Sequence, residues 1–216
     1  MPDPLIFLQS LTQGVSVDAY RKNALLSVYD KEGIVEFAWG LIDLGWNLFS
    51  SGGTAKVLQE AGLAVTDIGT IVGPPILGHR VVTLSRELHA GLLARNTPED
   101  LAELQRIGAP YFDLVCVDLY PLQAETEREG ATMESVIEKT DIGGPTLLRS
   151  GAKGRRLVIS NRESRELVLR HLQEGTGDDP DLRHMFAMEA ERLVSRYCDI
   201  SVRFLDSHFE TLPSVS

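Results

Sequence analysis

The sequence predicts an α/β protein in which helices cover both faces of a mostly parallel sheet and a helical extension follows at the C-terminus. Short apolar runs alternate with segments of helical periodicity along most of the chain. The clearest run, "FDLVCVDLY" (112–120), is apolar on both faces, as in a buried parallel strand. We expect one domain over 1–216, with a core at about 22–175 and, after the linker-like "GTGDDPD", a tail of one or two helices at about 179–209.

Five segments are typical of strands. They are "NALLSVY" (23–29), "WNLFSS" (46–51), "LAVTDIG" (63–69), "FDLVCVDLY" (112–120) and "RRLVISN" (155–161). Ligands of parallel sheets bind at the carboxyl ends of the strands, so the residues that follow each run are the first candidates for a site.

Six segments between or after these runs are typical of helices. They are 31–45, 52–62, 97–108, 133–140, 145–153 and 164–175. Thr97 and Pro98 fit an N-cap and a first helical position. In "TDIGGPTLLRSGAK" (140–153), Gly144 fits an N-cap and Pro145 a first helical position, which predicts Leu147, Leu148 and Ala152 on a core-facing side.

Composition narrows the function classes. The chain has 216 residues and a formal net charge of −10, which argues against a general nucleic-acid binder. Cys116 and Cys198 form neither a metal-ligand pattern nor a disulfide framework. The N-terminal residues do not fit a signal peptide and no apolar run is long enough for a membrane span, so we expect a cytoplasmic protein without membrane partners or bound metal.

Two loops after successive strands carry hydroxyl groups and glycines. Such residues at a helix N-terminus let backbone N–H groups approach an anion. Each loop alone fits a capping turn with a solvated lysine better, but two converging loops favour a phosphate site. Neither has the spacing of a P-loop or of a dinucleotide fingerprint. The candidates are Ser27, Lys31 and Gly33 in the first loop, and Ser50, Ser51, Gly52, Gly53 and Thr54 in the second.

Further polar residues lie beyond these loops. Arg80 and Thr83 are placed to reach an anion, Arg80 with a bidentate fork. Asp118 and Tyr120 alternate at the end of a strand, where a ligand role and a structural role are equally consistent with the pattern. His89 fits a hydrogen-bonded core histidine better than a catalyst.

Five ordered motifs carry a resemblance to a known family. "ALLSVYDKEGIVEFA", "SSGGTAKVLQEAGLAVTDI", "HRVVTL…HAGLLAR", "DLVCVDLYPL" and "TDIGGPTLLRSGAK" resemble the IMP cyclohydrolase domain of the bifunctional purine biosynthesis protein, from about residue 22 to 170. The resemblance implies a methylglyoxal-synthase-like fold and closure of the second purine ring with loss of water. It also implies a ribonucleotide substrate, no cofactor, a homodimer, and a formyltransferase that here would be a separate partner.

The resemblance also implies roles for residues. The two strand-end loops match the segments that hold the 5′-phosphate, and Arg80 and Thr83 match the next binding segment. Tyr120, Asp141 and Lys153 match reactive-site residues, with Asp141 and backbone N–H groups presented to the substrate and Lys153 directed back toward it. The predicted base-binding residues are Val82, Asp118, Ile142 and Gly143.

Departures from the family pattern cluster at the reacting end. The family motif R-V-K-T-L-H-P is here Arg80-Val-Val-Thr-Leu-Ser-Arg86, so Val82 replaces a lysine and Ser85 a histidine. Asp118 replaces an asparagine. Three hypotheses follow: a divergent cyclohydrolase with another ribonucleotide substrate, IMP cyclohydrolase itself with a rearranged site, and a non-catalytic nucleotide-binding module. The retained Tyr120, Asp141 and Lys153 favour an enzyme.

Overall fold

The computed structural model describes residues 21–78 and 80–208, and all five predicted strands form. The strands are β1 (Asn23–Ser27), β2 (Asn47–Ser50), β3 (Val65–Asp67), β4 (Leu114–Val117) and β5 (Leu157–Ile159). They make one sheet in the order β3-β2-β1-β4-β5, and every pair is parallel. In register, Leu25 of β1 lies between Phe49 of β2 and Val115 of β4. The predicted α/β class with a parallel sheet is confirmed.

Helices connect the strands. They are α1 (Ile34–Asp43), α2 (Gly52–Glu60), α3 (Gly69–Val72), α4 (Arg86–Leu93), α5 (Pro98–Arg106), α6 (Leu122–Thr126), α7 (Met133–Lys139), α8 (Gly143–Lys153), α9 (Glu163–Gln173) and α10 (Pro180–His208). The tail is thus one long helix within the described residues. Helices α3, α4 and α6 are additional to the predicted set.

The core has two layers because each strand buries both faces. Leu26 and Cys116 pack on one face with residues of α1, α2 and α9. Leu25 and Val115 pack on the other with residues of α4 and α8. Helix α10 contributes to both layers, so it runs past the β5 edge of the sheet and covers it.

Two predictions about helix starts have different outcomes. Thr97 is the N-cap of α5, its hydroxyl accepts from the Asp100 N–H, and Pro98 opens the helix as predicted. Gly144 is not an N-cap, because α8 already begins at Gly143. Leu147 and Leu148 are fully buried, as the pattern predicts.

The two cysteines lie in different environments. Cys116 is buried in β4, whereas Cys198 is exposed on α10. Among the described residues, no helix has the length and apolar character needed to cross a membrane.

Candidate functional site

A cavity of about 850 Å³ opens at the carboxyl ends of β1, β2 and β4. Its volume lies in the range typical of small-molecule sites. The N-termini of α2 and α8 both open into it, and the loop that precedes α4 and the helix α7 form further walls. The predicted site residues that line it are Ser27, Ser51, Gly52, Gly53, Arg80, Val82, Thr83, Asp118, Tyr120, Asp141, Ile142 and Gly143.

The first end of the cavity is built from the two strand-end loops. The hydroxyl oxygens of Ser27 and Ser51 lie 2.8 Å apart, which ties the loop after β1 to the loop after β2. Gly52 and Gly53 open α2 directly beyond Ser51. Hydroxyl groups and first-turn N–H groups therefore face the same space, an arrangement suited to an oxyanion.

Four predicted phosphate ligands, Ser50, Thr54, Lys31 and Gly33, are not among the residues that line this cavity. The Ser50 hydroxyl donates to the Leu26 carbonyl at 2.7 Å. The Thr54 hydroxyl donates to the Val28 carbonyl at 3.0 Å. These two buried side chains join the loops.

The other two residues, Lys31 and Gly33, shape the loop after β1. The Lys31 ammonium donates to the carbonyls of Val28 and Tyr29, so it folds back onto its own loop. Burial lowers the pKa of Lys31, and Asp118 and Asp30 oppose that change. Gly33 has φ 69°, a left-handed conformation, and precedes α1.

The loop before α4 forms one wall. Arg80 is exposed and pairs with Glu138 of α7 at 2.9 Å, which joins this loop to α7. Val82 lines the cavity and brings no charge to it. Ser85 caps α4 by accepting from the Leu88 N–H at 3.2 Å, so the residue at the family's histidine position has a structural role.

The double glycine at the start of α8 has a steric reason. A Cβ on Gly143 would lie 2.4 Å from the Thr83 hydroxyl oxygen. A Cβ on Gly144 would lie 2.4 Å from a carboxylate oxygen of Asp141 and 2.6 Å from Leu119. Both positions therefore need glycine so that Thr83 and the Asp141 carboxylate can pack against the first turn of α8.

Asp141 is the carboxylate at the second end of the cavity. One oxygen accepts from the Gly144 N–H at 2.9 Å. Burial raises its pKa, and hydrogen bonds from the backbone N–H groups of Gly144, Gly143 and Tyr120 oppose the rise. The Gly144 N–H, one of the groups predicted to face the substrate, thus donates to Asp141 itself.

Asp118 has partners that the sequence did not reveal. One carboxylate oxygen accepts from the backbone N–H groups of Tyr29 and Asp30. The other pairs with Arg165 of α9 at 2.9 Å, and the Arg165 side chain is 4% exposed. Asp118, a predicted base-binding residue, thus lines the cavity while its carboxylate is held in an ion pair with a buried arginine.

Lys139 is a cavity cation that the sequence analysis missed. Its ammonium lies 5.0 Å from the centre of the Tyr120 ring, and the Tyr29 ring packs edge-on against Tyr120 at 4.9 Å. Lys139 is the last residue of α7 and lines the cavity together with Asp141. The sequence did offer one indication that Lys139 belongs to the site, since it lies two residues before Asp141.

Lys153 is not brought to this cavity. Lys153 is the last residue of α8, whereas Asp141 accepts a hydrogen bond from the first turn of that helix. The helix has 11 residues and spans about 16 Å. Its side chain is exposed and lines a different cavity. The expectation that Lys153 points back toward Asp141 is therefore corrected for the single chain.

The C-terminal helix also contributes to the site. The Tyr197 hydroxyl accepts from the Asp141 N–H at 2.8 Å, and Ser201 and Leu205 line the cavity. The sequence analysis assigned no site residue to this helix. In the described part of the chain, no group of three His, Cys, Asp or Glu side chains is arranged to hold a metal ion.

The raised pKa of Asp141 predicts how stability depends on pH. The folded state binds the proton of the Asp141 carboxyl group more tightly than the unfolded state does. The contribution of Asp141 to the free energy of unfolding is therefore fully present below its ordinary pKa of 3.8. It is lost as the pH rises through the folded pKa. We therefore expect the free energy of unfolding of Asp141→Asn, minus that of the wild type, to grow across this window and then level off. Urea unfolding at a series of pH values measures it, and a difference that shrinks as pH rises would contradict the assignment.

Comparison with known proteins identifies the family. A model of the MGS-like domain matches residues 33–146, more than half of the chain, and the chain belongs to this family. It is 41% identical over 194 residues to the bifunctional purine biosynthesis protein PurH of Deinococcus deserti, and 40% identical over 192 residues to PurH of Persephonella marina. These alignments cover 89% and 87% of this chain but only 37% of each relative.

A solved structure gives a second comparison. The crystal structure of ForH superimposes with a TM-score of 0.74 at 34% identity, over 86% of this chain and 100% of that chain. The resemblance read from the sequence motifs and the methylglyoxal-synthase-like fold are both confirmed.

Proposed function

We propose that the chain is a ring-closing cyclohydrolase that acts on a formylated, phosphorylated purine-precursor ribonucleotide or an analogue of it. The observation that carries the proposal is that two helix N-termini open into one cavity, with hydroxyl groups at α2 and a buried carboxylate at α8. The similarity to the PurH proteins supports this reaction class.

The phosphate is assigned to the end of the cavity formed by Ser27, Ser51 and the first turn of α2. The serine hydroxyls and the N–H groups of Gly52 and Gly53 are donors, and the helix dipole favours negative charge at this position. Arg80 also lines the cavity, and its exposed ion pair with Glu138 costs little to exchange for a phosphate contact.

The reacting end is assigned to Asp141, Tyr120 and Lys139. In the proposed reaction the carboxamide nitrogen attacks the formyl carbon, a C–N bond forms, and the former carbonyl oxygen leaves as water. A proton must leave the nitrogen, and the departing oxygen must gain protons. A carboxylate whose pKa is raised by burial is suited to both transfers.

Lys139 is proposed to supply the positive charge that Val82 cannot. Its ammonium lies over Tyr120 and on the same cavity wall as Asp141. A fixed cation stabilises an oxyanion that develops in the transition state. This placement also favours a second candidate, IMP cyclohydrolase itself, in which the cation comes from α7 and not from position 82.

Formylated AICAR tests the reaction directly, with IMP formation followed by chromatography. IMP formation identifies the second candidate, and Lys139→Gln should then lower turnover by about 100- to 1,000-fold. The exposed Lys56, which pairs with Glu60 at 3.9 Å, provides the control variant Lys56→Gln with unchanged turnover. If formylated AICAR binds without conversion, ring closure of an analogue remains the proposal. If it neither binds nor reacts, and a panel of related nucleotides also fails, the cyclohydrolase proposal is overturned.

A separate binding experiment tests the phosphate end. IMP should bind more tightly than inosine by about tenfold or more, since phosphate adds charge-assisted hydrogen bonds. Gly53→Asp should remove this difference by placing a carboxylate beside the phosphate. A Cβ at Gly53 approaches only the Lys31 side chain, at 3.9 Å, so the fold should tolerate it. Gly53→Asn is the neutral control of matching size, and equal affinities for IMP and inosine in the wild type would refute the assignment.

A further inference from the structure

A second cavity, of about 760 Å³, lies at the opposite end of α8 from Asp141. It opens where β1 and β4 begin and where α8 turns toward β5. Two carboxylates, Asp113 and Asp178, line it. Six cationic side chains also line it: Lys22, Arg95, Lys153, Arg155, Arg156 and Arg183.

The positive charge of this cavity is only partly balanced. Asp178 pairs with both Lys22, at 2.7 Å, and Arg183, at 2.5 Å, and Arg95 pairs with Asp100 at 2.8 Å. Within 21–78 and 80–208, neither Lys153 nor Arg155 has a carboxylate within ion-pair distance. Since the whole chain carries a net charge of −10, this concentration of cations is local and does not follow from a generally basic surface.

The conformation of Arg155 is a second, independent observation. Its φ is 58°, in the left-handed region that glycine adopts at little cost. Its N–H bonds the Ala152 carbonyl at 3.1 Å, and the next N–H bonds the Gly151 carbonyl at 2.9 Å, which closes the last turn of α8. A glycine would fit this turn with less strain, so the arginine side chain is kept at a conformational cost.

Arg156 gives the cavity a rigid wall. It is 3% exposed, donates to the Leu92 carbonyl at 2.7 Å, and lies 4.0 Å from the centre of the Tyr111 ring. The exposed cations, Lys153 and Arg155, are carried on the hydrogen-bonded backbone turn beside it. A ligand with several negative charges can contact both at once.

We propose that this cavity binds a multiply charged phosphate chain, such as inorganic triphosphate or the phosphates of a nucleoside triphosphate. The site is distinct from the cavity at Asp141, because the length of α8, about 16 Å, separates the two. Lys153, which the family resemblance assigned to the reaction, is here a ligand of the second site.

Calorimetric titration of the full chain with inorganic triphosphate tests the proposal. We expect saturable binding, weakened about tenfold or more in Lys153→Ala and in Arg155→Gly, because each loses a charge-assisted contact. Arg155→Gly should also melt no lower than the wild type, since glycine suits φ 58°. This variant therefore separates loss of binding from loss of fold. Lys56→Ala removes one exposed charge elsewhere and serves as the matched control.

The outcomes are distinct. Absence of triphosphate binding, or binding that Arg155→Gly leaves intact, overturns the proposal. Equal weakening by Lys56→Ala also overturns it, because binding would then depend on the total charge of the chain and not on this cavity. A parallel titration with ATP separates the sources: equal affinity indicates recognition of the phosphate chain alone, and tighter ATP binding indicates a nucleotide. Since inorganic triphosphate carries no purine base, these results do not depend on the cyclohydrolase assay.

Discussion

Asp141→Asn is expected to lower the rate of ring closure by about 100- to 10,000-fold, the range typical of a lost acid–base group. The amide keeps the size of the side chain and can still accept from the Gly144 N–H, so the first turn of α8 should persist. It cannot take a proton from the substrate nitrogen. Single-turnover kinetics with the reactive nucleotide, together with its dissociation constant, measure the two effects separately.

Asp67→Asn is the matched control for this experiment. Asp67 also accepts a backbone N–H at a helix start, from Gly69 at 2.8 Å, but it does not line the cavity. We expect its rate to match the wild type. If Asp141→Asn keeps the wild-type rate, Asp141 is only a helix cap and the proton must be moved by another group.

Asp118→Asn is expected to reduce the free energy of unfolding by about 3–5 kcal/mol, the usual cost of breaking a buried ion pair on one side. The substitution leaves the buried Arg165 guanidinium without its carboxylate partner. The Arg165 Nη1 atom still donates to the Glu32 carbonyl at 2.8 Å, but that oxygen carries no formal charge, and Nε has no hydrogen-bond partner among the described residues. Chemical denaturation at neutral pH gives the value.

Removing both charges provides the control. Asp118→Leu combined with Arg165→Met should recover much of the lost stability, because replacing a whole buried pair by apolar groups is often neutral. Glu60→Gln, which breaks the exposed pair with Lys56, should cost at most about 1 kcal/mol. A single Asp118→Asn variant as stable as the wild type would show that the pair contributes nothing to the fold.

This ion pair changes how position 82 should be tested. An asparagine at 118 matches the family pattern, but here it would leave the Arg165 guanidinium without its carboxylate partner. A lysine should therefore be introduced at Val82 without altering Asp118. Val82 and Lys139 both line the cavity, so the new ammonium would add to that of Lys139.

The sheet and its site edge were predictable because their signals are local. Strands buried on both faces are continuous apolar runs, and parallel strands place their carboxyl ends at one edge. The loops at Ser27 and Ser51 therefore meet as expected, with their hydroxyl groups 2.8 Å apart. The family motifs added Asp141 and Tyr120, and both line the same cavity.

The remaining features depend on contacts between distant segments or on helix geometry. Asp118 and Arg165 are 47 positions apart, and no local pattern joins them. Lys153 ends α8 and Asp141 precedes it, so the length of this helix, about 16 Å, separates them, a distance that helix geometry alone gives. The sequence also gave no way to tell that Lys31 folds back onto its own carbonyls.

The unequal environments of the two cysteines make the chain suitable for labelling. Burial raises the pKa of Cys116 to about 12, so its thiol stays protonated and inaccessible to alkylating reagents at neutral pH. Cys198 is exposed and follows Tyr197, whose hydroxyl holds the backbone of Asp141. A maleimide fluorophore would therefore attach at one known position of the unmodified sequence, one residue from a side chain that contacts the cavity wall. Its emission would report occupancy of that cavity for any nucleotide, whether or not the nucleotide reacts.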